Sequence, residues 1–309
     1  MNIVVTGGAG FIGSHIADAC INAGHAVSVI DNLSMGRKEN IHPSAKFYHR
    51  DIRDENVREV FEKERIDVIF HLAAQMDVRK SVEDPLFDAS VNIVGTINLL
   101  ELSRKHGVKK FVFASTGGAI YGEQDYFPAD EAHPQRPLSP YGITKLAVER
   151  YLFYYREVHG LQFVSLRFAN VYGPRQNPHG EAGVVAIFTS KMLAGQQPVI
   201  NGDGKQTRDY TYVEDVVNAN MLALKYAQSG FFNVGTGIET DVNTLFDILK
   251  SETGSACRED HGPAKQGEQM RSVLDYSLIG KTLGWKPSVN LRAGLKKTVA
   301  FFRERQGSR

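Results

Sequence analysis

The chain has 309 residues, 42% hydrophobic and 23% charged, with a net charge of +1 at neutral pH, which excludes a disordered polyelectrolyte and gives nucleic acid or a membrane surface no basic run to bind. Its two cysteines, Cys20 and Cys257, lie in unrelated segments and its ten histidines show no ligand spacing, so neither a disulfide framework nor a metal site is expected. The first strand is expected to start at Asn2 or Ile3, leaving no room for a signal peptide. No apolar run reaches the ~20 residues of a membrane span, so a soluble, cytoplasmic protein is expected.

Asn2–Thr6 reads as a short buried strand, followed by the turn Thr6-Gly7-Gly8-Ala9-Gly10-Phe11-Ile12-Gly13 and a helix over Gly13–Ala23 that Gly24 stops. Glycines at 7, 10 and 13, with Phe11 and Ile12 between them, allow a tight turn and bring backbone amides and a helix N-terminus close to a pyrophosphate. A second strand, Ala26–Ile30, runs straight into Asp31 and Asn32. A carboxylate there accepts from the 2′-hydroxyl of an adenosine ribose and repels a 2′-phosphate, so the expected cofactor is NAD. Lys46–His49 is the third strand, with Asp51 and Ile52 placed to meet the adenine. After a helix over Glu55–Lys63, Val68–Leu72 forms the fourth strand and ends in Leu72-Ala73-Ala74, whose small residues admit the cofactor.

Pro85–His106 carries helical periodicity, Lys110–Ala114 reads as the fifth strand with Ser115 and Thr116 at its end, Pro140–His159 as a helix and Gln162–Arg167 as the sixth strand. Alternating apolar strands and amphipathic helices imply an α/β doubly wound (Rossmann) fold with a mostly parallel sheet. Beyond Asn170 the alternation loosens, with helices over Val184–Ala194, Val213–Ala227, Val242–Glu252 and Leu291–Arg305. The expected organisation is an NAD-binding domain over 1–170, with a later segment near 207–230 returning to it, and a smaller C-terminal α/β substrate lobe over 171–309.

Ser139 and Pro140 are good helix-start residues, and Tyr141 and Lys145 then share one helical face. A phenol, with a pKa near ~10, is a poor base at neutral pH; a neighbouring ammonium lowers that value and lets Tyr141 take a proton from a substrate hydroxyl. Thr116 reaches the same oxygen from the carboxyl end of its strand. For the spacing alone, a chance Tyr and Lys on an exposed helix is the alternative, as is a strand-end hydroxyl satisfying backbone for Ser115-Thr116.

These features together with His71-Leu72-Ala73-Ala74, Tyr121-Gly122, Pro140-Tyr141-Gly142 and Arg167–Arg175 resemble the extended short-chain dehydrogenase/reductase family along essentially the whole chain. Ser115–Gly122 and the stretch 180–188 carry a narrower resemblance to bacterial UDP-glucose 4-epimerases. The resemblance implies that Tyr141 is the base and acid, that Lys145 and Asn92 contact the cofactor, and that Thr116 binds the sugar 4-hydroxyl. It further implies substrate contacts from Asn170, Val185, Arg208, Lys265 and Arg271, with Lys265 standing where a phosphate-binding arginine often occurs, and a gate position at Ser272. A homodimer is implied through the helices over Asn92–His106 and Pro140–His159; Leu146, Val148, Tyr151, Leu152 and Tyr155 supply an apolar stripe there that fits a core equally well.

Related dehydratases carry Asp-Glu where Gly117-Gly118 stand here, and dehydration needs that acid and base. The expected reaction is therefore NAD-dependent epimerisation at C4 of a UDP-hexose, UDP-glucose or UDP-galactose. Alternatives are UDP-GlcNAc or UDP-glucuronate epimerisation, with Arg79 a possible cation for a uronate, a sugar-nucleotide oxidoreductase or dehydratase, and a non-catalytic dinucleotide sensor.

Overall fold

Seven parallel strands frame the computed structural model, which describes residues 1–178, 183–264 and 269–307. In chain order the strands of the whole fold begin with β1 (Asn2–Thr6), β2 (Ala26–Asp31), β3 (Lys46–His49), β4 (Val68–His71), β5 (Lys110–Thr116) and β6 (Gln162–Phe168). Next come β7 (Asn170–Tyr172), β8 (Ile200–Asn201), β9 (Thr207–Tyr212) and β10 (Gly230–Val234), then β11 (Glu239–Asp241), β12 (His261–Gly262) and β13 (Arg271–Ser272). The large sheet runs β3-β2-β1-β4-β5-β6-β10, all parallel. The sheet is doubly wound: its order reverses between β1 and β4, and that switch point opens a crevice at the carboxyl ends of the strands.

The helices are α1 (Phe11–Asn22), α2 (Arg58–Glu64), α3 (Val78–Glu83), α4 (Pro85–Ala89), α5 (Gly95–His106), α6 (Gly117–Ile120) and α7 (Pro140–His159). They continue with α8 (Val184–Leu193), α9 (Val213–Lys225), α10 (Val242–Thr253), α11 (Ser277–Leu283) and α12 (Leu291–Gly307). One face of the sheet packs Val5, Val29 and Val164 against Ile16 and Ala17 of α1 and Val216 and Ala219 of α9. The other packs Val4, Ile69 and Phe111 against Val60 of α2, Leu99 of α5 and Val148 and Leu152 of α7. Burying each large aliphatic side chain stabilises by roughly 1.5–3 kcal/mol, which is why both faces of these strands are apolar. A third cluster, with Tyr172, Phe188, Tyr210 and Phe246, lies with the small sheet in which β7, β11 and β13 pair with β9.

Several expectations change in detail. Strand β10 has no counterpart in the sequence reading, yet it pairs in parallel with β6 and extends the sheet. The single helix expected over Pro85–His106 is α4, a π-helical turn over Ser90–Val94, and α5. Val148, Leu152 and Tyr155 are buried in the core, and Leu146 is half-buried against Ile120 and Tyr121. The outward side of α7 instead exposes Ile143, Tyr151, Tyr154 and Val158. Among the described residues no helix is long and apolar enough to cross a membrane, and no group of three His, Cys, Asp or Glu could hold a metal ion.

Candidate active site

The glycine turn is shaped by contact. Gly7 has φ +69°, and a Cβ there would lie 2.7 Å from the Ala73 nitrogen. A Cβ on Gly13 would meet the Gly7 carbonyl oxygen at 2.2 Å, so the start of α1 packs directly on the turn. Gly10 takes the N-cap position of α1 with no side chain capping the first turn, which leaves its amides pointing into the crevice; this is a cradle that fits a dinucleotide pyrophosphate. Phe11 is buried and Ile12 half-buried on the core side of this helix. Leu72, Ala73 and Ala74 leave β4 opposite the turn, and the Ala73 amide donates to Thr6 Oγ1 at 3.3 Å.

Asp31 ends β2 and is buried. Its carboxylate accepts from the Ala9 amide at 3.0 Å and the Leu33 amide at 2.8 Å. Desolvation nevertheless pushes its carboxyl above the usual value. Asp31 thus clamps the glycine turn, and each oxygen keeps a lone pair for a further donor. Asn32 donates to Asp51 at 2.9 Å, and Arg53 grips Asp51 with Nε at 2.9 Å and Nη2 at 2.8 Å. That guanidinium, against some desolvation, holds the Asp51 carboxyl at about 2. Ile52 is buried, where it fills the space a side chain on Gly95 would need.

Helix α7 begins as its sequence dictates: Ser139 Oγ accepts from the Gly142 amide at 3.1 Å, and Pro140 occupies the first turn. Tyr141 points toward the end of β5, where Thr116 lies beside it and favours its ionised form. Thr116 Oγ1 also accepts from the Ala119 amide at 3.3 Å, capping α6. Lys145 reaches past the phenol: Nζ donates to the Ala114 carbonyl at 2.8 Å, 4.8 Å from the Phe113 ring centroid and 5.7 Å from that of Tyr141. The expectation that this ammonium lowers the phenol pKa is corrected. Burial dominates and, with the negative charge of Asp88, pushes the Tyr141 phenol up against the opposing effect of Thr116. Burial also draws Lys145 down to about 8, opposed by Asp88 and Glu149.

Ser115, buried beside Thr116, donates to Glu149 Oε1 at 2.8 Å rather than into the crevice. Glu149 also accepts from Ser165 at 2.9 Å and pairs with the buried Arg167 at 2.6 Å. Asn92, on the π-helical turn, is buried: Oδ1 accepts from the Gln75 amide at 2.8 Å, and Nδ2 lies 2.9 Å from the Gln75 carbonyl and 3.1 Å from Thr144 Oγ1.

Asn170 starts β7 exposed, and Arg208 on β9 donates to the Thr207 carbonyl at 2.8 Å. A Cβ on Gly118 would lie 3.9 Å from Asn170 Oδ1, 3.9 Å from Ser272 Oγ and 4.0 Å from Thr116 Oγ1, so these groups surround one space. A Cβ on Gly117 would strike Leu274 at 2.4 Å. Val185 is buried in the third core cluster, and Arg271 makes a bidentate pair with Glu239 while stacking on Phe127. Lys265 and residues 180–182 lie outside the described residues. Asp88, Thr144 and Glu149 were missed by the sequence reading; each is polar and buried beside the Tyr–Lys pair, a property with no local sequence signal.

Residues 3–235 match the NAD dependent epimerase/dehydratase family. A putative UDP-glucose 4-epimerase from Methanocaldococcus jannaschii is 48% identical over 97% of this chain and 98% of its own length. The crystal structure of a UDP-glucose 4-epimerase with UDP-glucose from Thermotoga maritima superposes with a TM-score of 0.97 at 51% identity, covering 99% of this chain and 100% of that one. A Thermus thermophilus UDP-glucose 4-epimerase in complex with NAD gives a TM-score of 0.94 at 45% identity, over 98% of this chain and 99% of that one. The glycine cradle, the Tyr141–Thr116 contact and these full-length similarities agree: the chain belongs to the NAD dependent epimerase/dehydratase family.

Proposed function

We propose that the chain is an NAD-dependent isomerase that inverts C4 of a UDP-hexose, interconverting UDP-glucose and UDP-galactose through a transient 4-keto sugar. The observation that carries this reading is the gathering of Tyr141, Lys145 and Thr116 at the carboxyl end of β5, with Lys145 Nζ bonded to the Ala114 carbonyl and 5.7 Å from the Tyr141 ring centroid. Gly7, Gly10, Gly13 and Asp31 suit NAD, which when bound supplies a reversible acceptor for the C4 hydrogen with its electron pair. Thr116 holds the C4 oxygen, and Tyr141, whose buried phenol the positive charge of bound NAD would draw back down, removes its proton and returns one to the ketone. Lys145 sits one turn further along α7, anchored on Ala114, with its charge directed at the reacting end of the crevice. Asn170 and Arg208 are suited to hold the diphosphate while the sugar turns, since an amide and a guanidinium offer donors to phosphate oxygens. Gly118 leaves room for that rotation, and Leu274 occupies the place where a dehydratase acid on residue 117 would project.

The exposed apolar residues Leu86, Val94, Ile143, Tyr154 and Val158 support a homodimer formed through the α4–α5 segment and α7. The deciding experiment incubates the protein with UDP-galactose and follows UDP-glucose. Tyr141→Phe is expected to lower kcat by about 10²–10⁴-fold; turnover unchanged by that substitution overturns the mechanism.

A further inference from the structure

Asp88 is a carboxylate with no solvent exposure, one turn before Asn92. Its Oδ1 accepts from Gln75 Nε2 at 2.9 Å and lies 3.1 Å from Asn92 Nδ2. Its Oδ2 accepts from Thr144 Oγ1 at 2.9 Å. Among the described residues no lysine or arginine forms an ion pair with it: Arg53 is taken by Asp51, Arg79 by Asp77, and Lys80 faces solvent. An unpaired buried carboxylate is costly, so a fold that keeps one has hydrogen bonds and a distant charge to stabilise it.

The proton directions follow from charge. Thr144 has one hydroxyl proton and two acceptors in reach, Asp88 Oδ2 and the Tyr141 carbonyl, both at 2.9 Å. The charged acceptor is the stronger, so Thr144 donates to Asp88 and accepts from Asn92. Asp88, Asn92 and Thr144 then form a closed set that ties α4 and the π-helical turn to α7 between Tyr141 and Lys145.

We propose that Asp88 is a positioning residue for the reaction: it locks Thr144, and with it the catalytic turn of α7, and it provides the buried negative charge that balances the Lys145 ammonium beside Tyr141. This rests on the assignment of Tyr141 and Lys145 to proton transfer made above. The carboxylates whose charge acts on Lys145 are Asp88 from α4 and Glu149 from its own helix; its ammonium in turn acts on His71 of β4, and Nζ lies 5.7 Å from the Tyr141 ring centroid. Glu149 is already neutralised by Arg167, which leaves Asp88 as the carboxylate without a bound cation. Its charge acts on both partners in the same sense, favouring the protonated forms of Lys145 and of Tyr141.

Neutralising Asp88 therefore moves the two groups together. In Asp88→Asn the whole pH profile of kcat is expected to shift to lower pH by about one unit, with kcat at the wild-type optimum down about tenfold and KM for UDP-galactose within about twofold. Asp88→Glu keeps the charge and is expected to keep the profile in place. Thr144→Val preserves the shape of α7 and is expected to lower kcat severalfold without moving the profile, and Thr144→Ser to restore it. A profile for Asp88→Asn that coincides with wild type overturns the electrostatic role, and wild-type kcat in Thr144→Val overturns the positioning role. Failure of the underlying assignment looks different: Tyr141→Phe and Lys145→Met then retain turnover.

Discussion

His71 shows how burial sets a protonation state. Thr96 donates to the Asn92 carbonyl at 2.6 Å, so it must accept from His71 Nε2 at 2.8 Å, and His71 Nδ1 accepts from Thr6 Oγ1 at 2.7 Å. The ring is neutral with its proton on Nε2, and desolvation, aided by Lys145, lowers its pKa to about 3. The sign follows. Above pH 7 folded and unfolded chains both hold a neutral imidazole. As pH falls below about 6.5 the unfolded chain gains a proton that the folded chain refuses, and stability drops by about 2 kcal/mol at pH 5. His71→Asn is expected to lose correspondingly less stability between pH 7 and pH 5 in urea titrations; equal losses in the two proteins contradict it. At this scale the glycines, Asp31, Thr116, Tyr141 and Lys145 were legible as candidates because the chemistry proposed for them depends on residue type and short spacing. Asp88 and Thr144 were not, because a buried acid and a surface acid look alike in a sequence.

Among the elements, α7 was legible to the residue, since Ser139, Pro140 and the left-handed Gly160 (φ +73°) mark both of its ends. Ser139→Ala removes the cap on the Gly142 amide and is expected to lower unfolding stability by about 1 kcal/mol; an unchanged denaturation midpoint contradicts it. The segment Pro85–His106 was legible as helical but not as broken. The π-helical turn over Ser90–Val94 admits one extra residue without disturbing the apolar period, and what holds it open is the Asn92 side chain bonded to Gln75 and Asp88. Gln75 lies outside the segment, and Asp88 four residues back is no signal of a break without it. Strand β10 was missed for a similar reason: Gly230-Phe231-Phe232-Asn233-Val234 is short, and only pairing with β6 makes it a strand.

For the whole molecule, the proposed pairing of two chains depends on which side of α7 faces out. The apolar residues of this helix lie on both sides; the sheet claims Val148, Leu152 and Tyr155 and leaves Ile143, Tyr154 and Val158 exposed near Leu86 and Val94 of the adjoining segment. Ile143→Glu combined with Val158→Glu is expected to halve the apparent mass by light scattering while leaving the core intact; an unaltered mass rejects this face as the dimer interface. The sequence by itself determined the cofactor fold and put forward the candidate nucleotide cradle and the candidate Tyr141–Lys145–Thr116 set, because period, glycine spacing and helix caps act over a few residues. Tertiary structure alone decided that Lys145 anchors on Ala114 and not on the phenol, that Ser115 is spent on Glu149, and that Asp88 stands behind the turn that carries Tyr141 and Lys145. Those outcomes depend on desolvation and on partners distant in the chain, which no local pattern encodes.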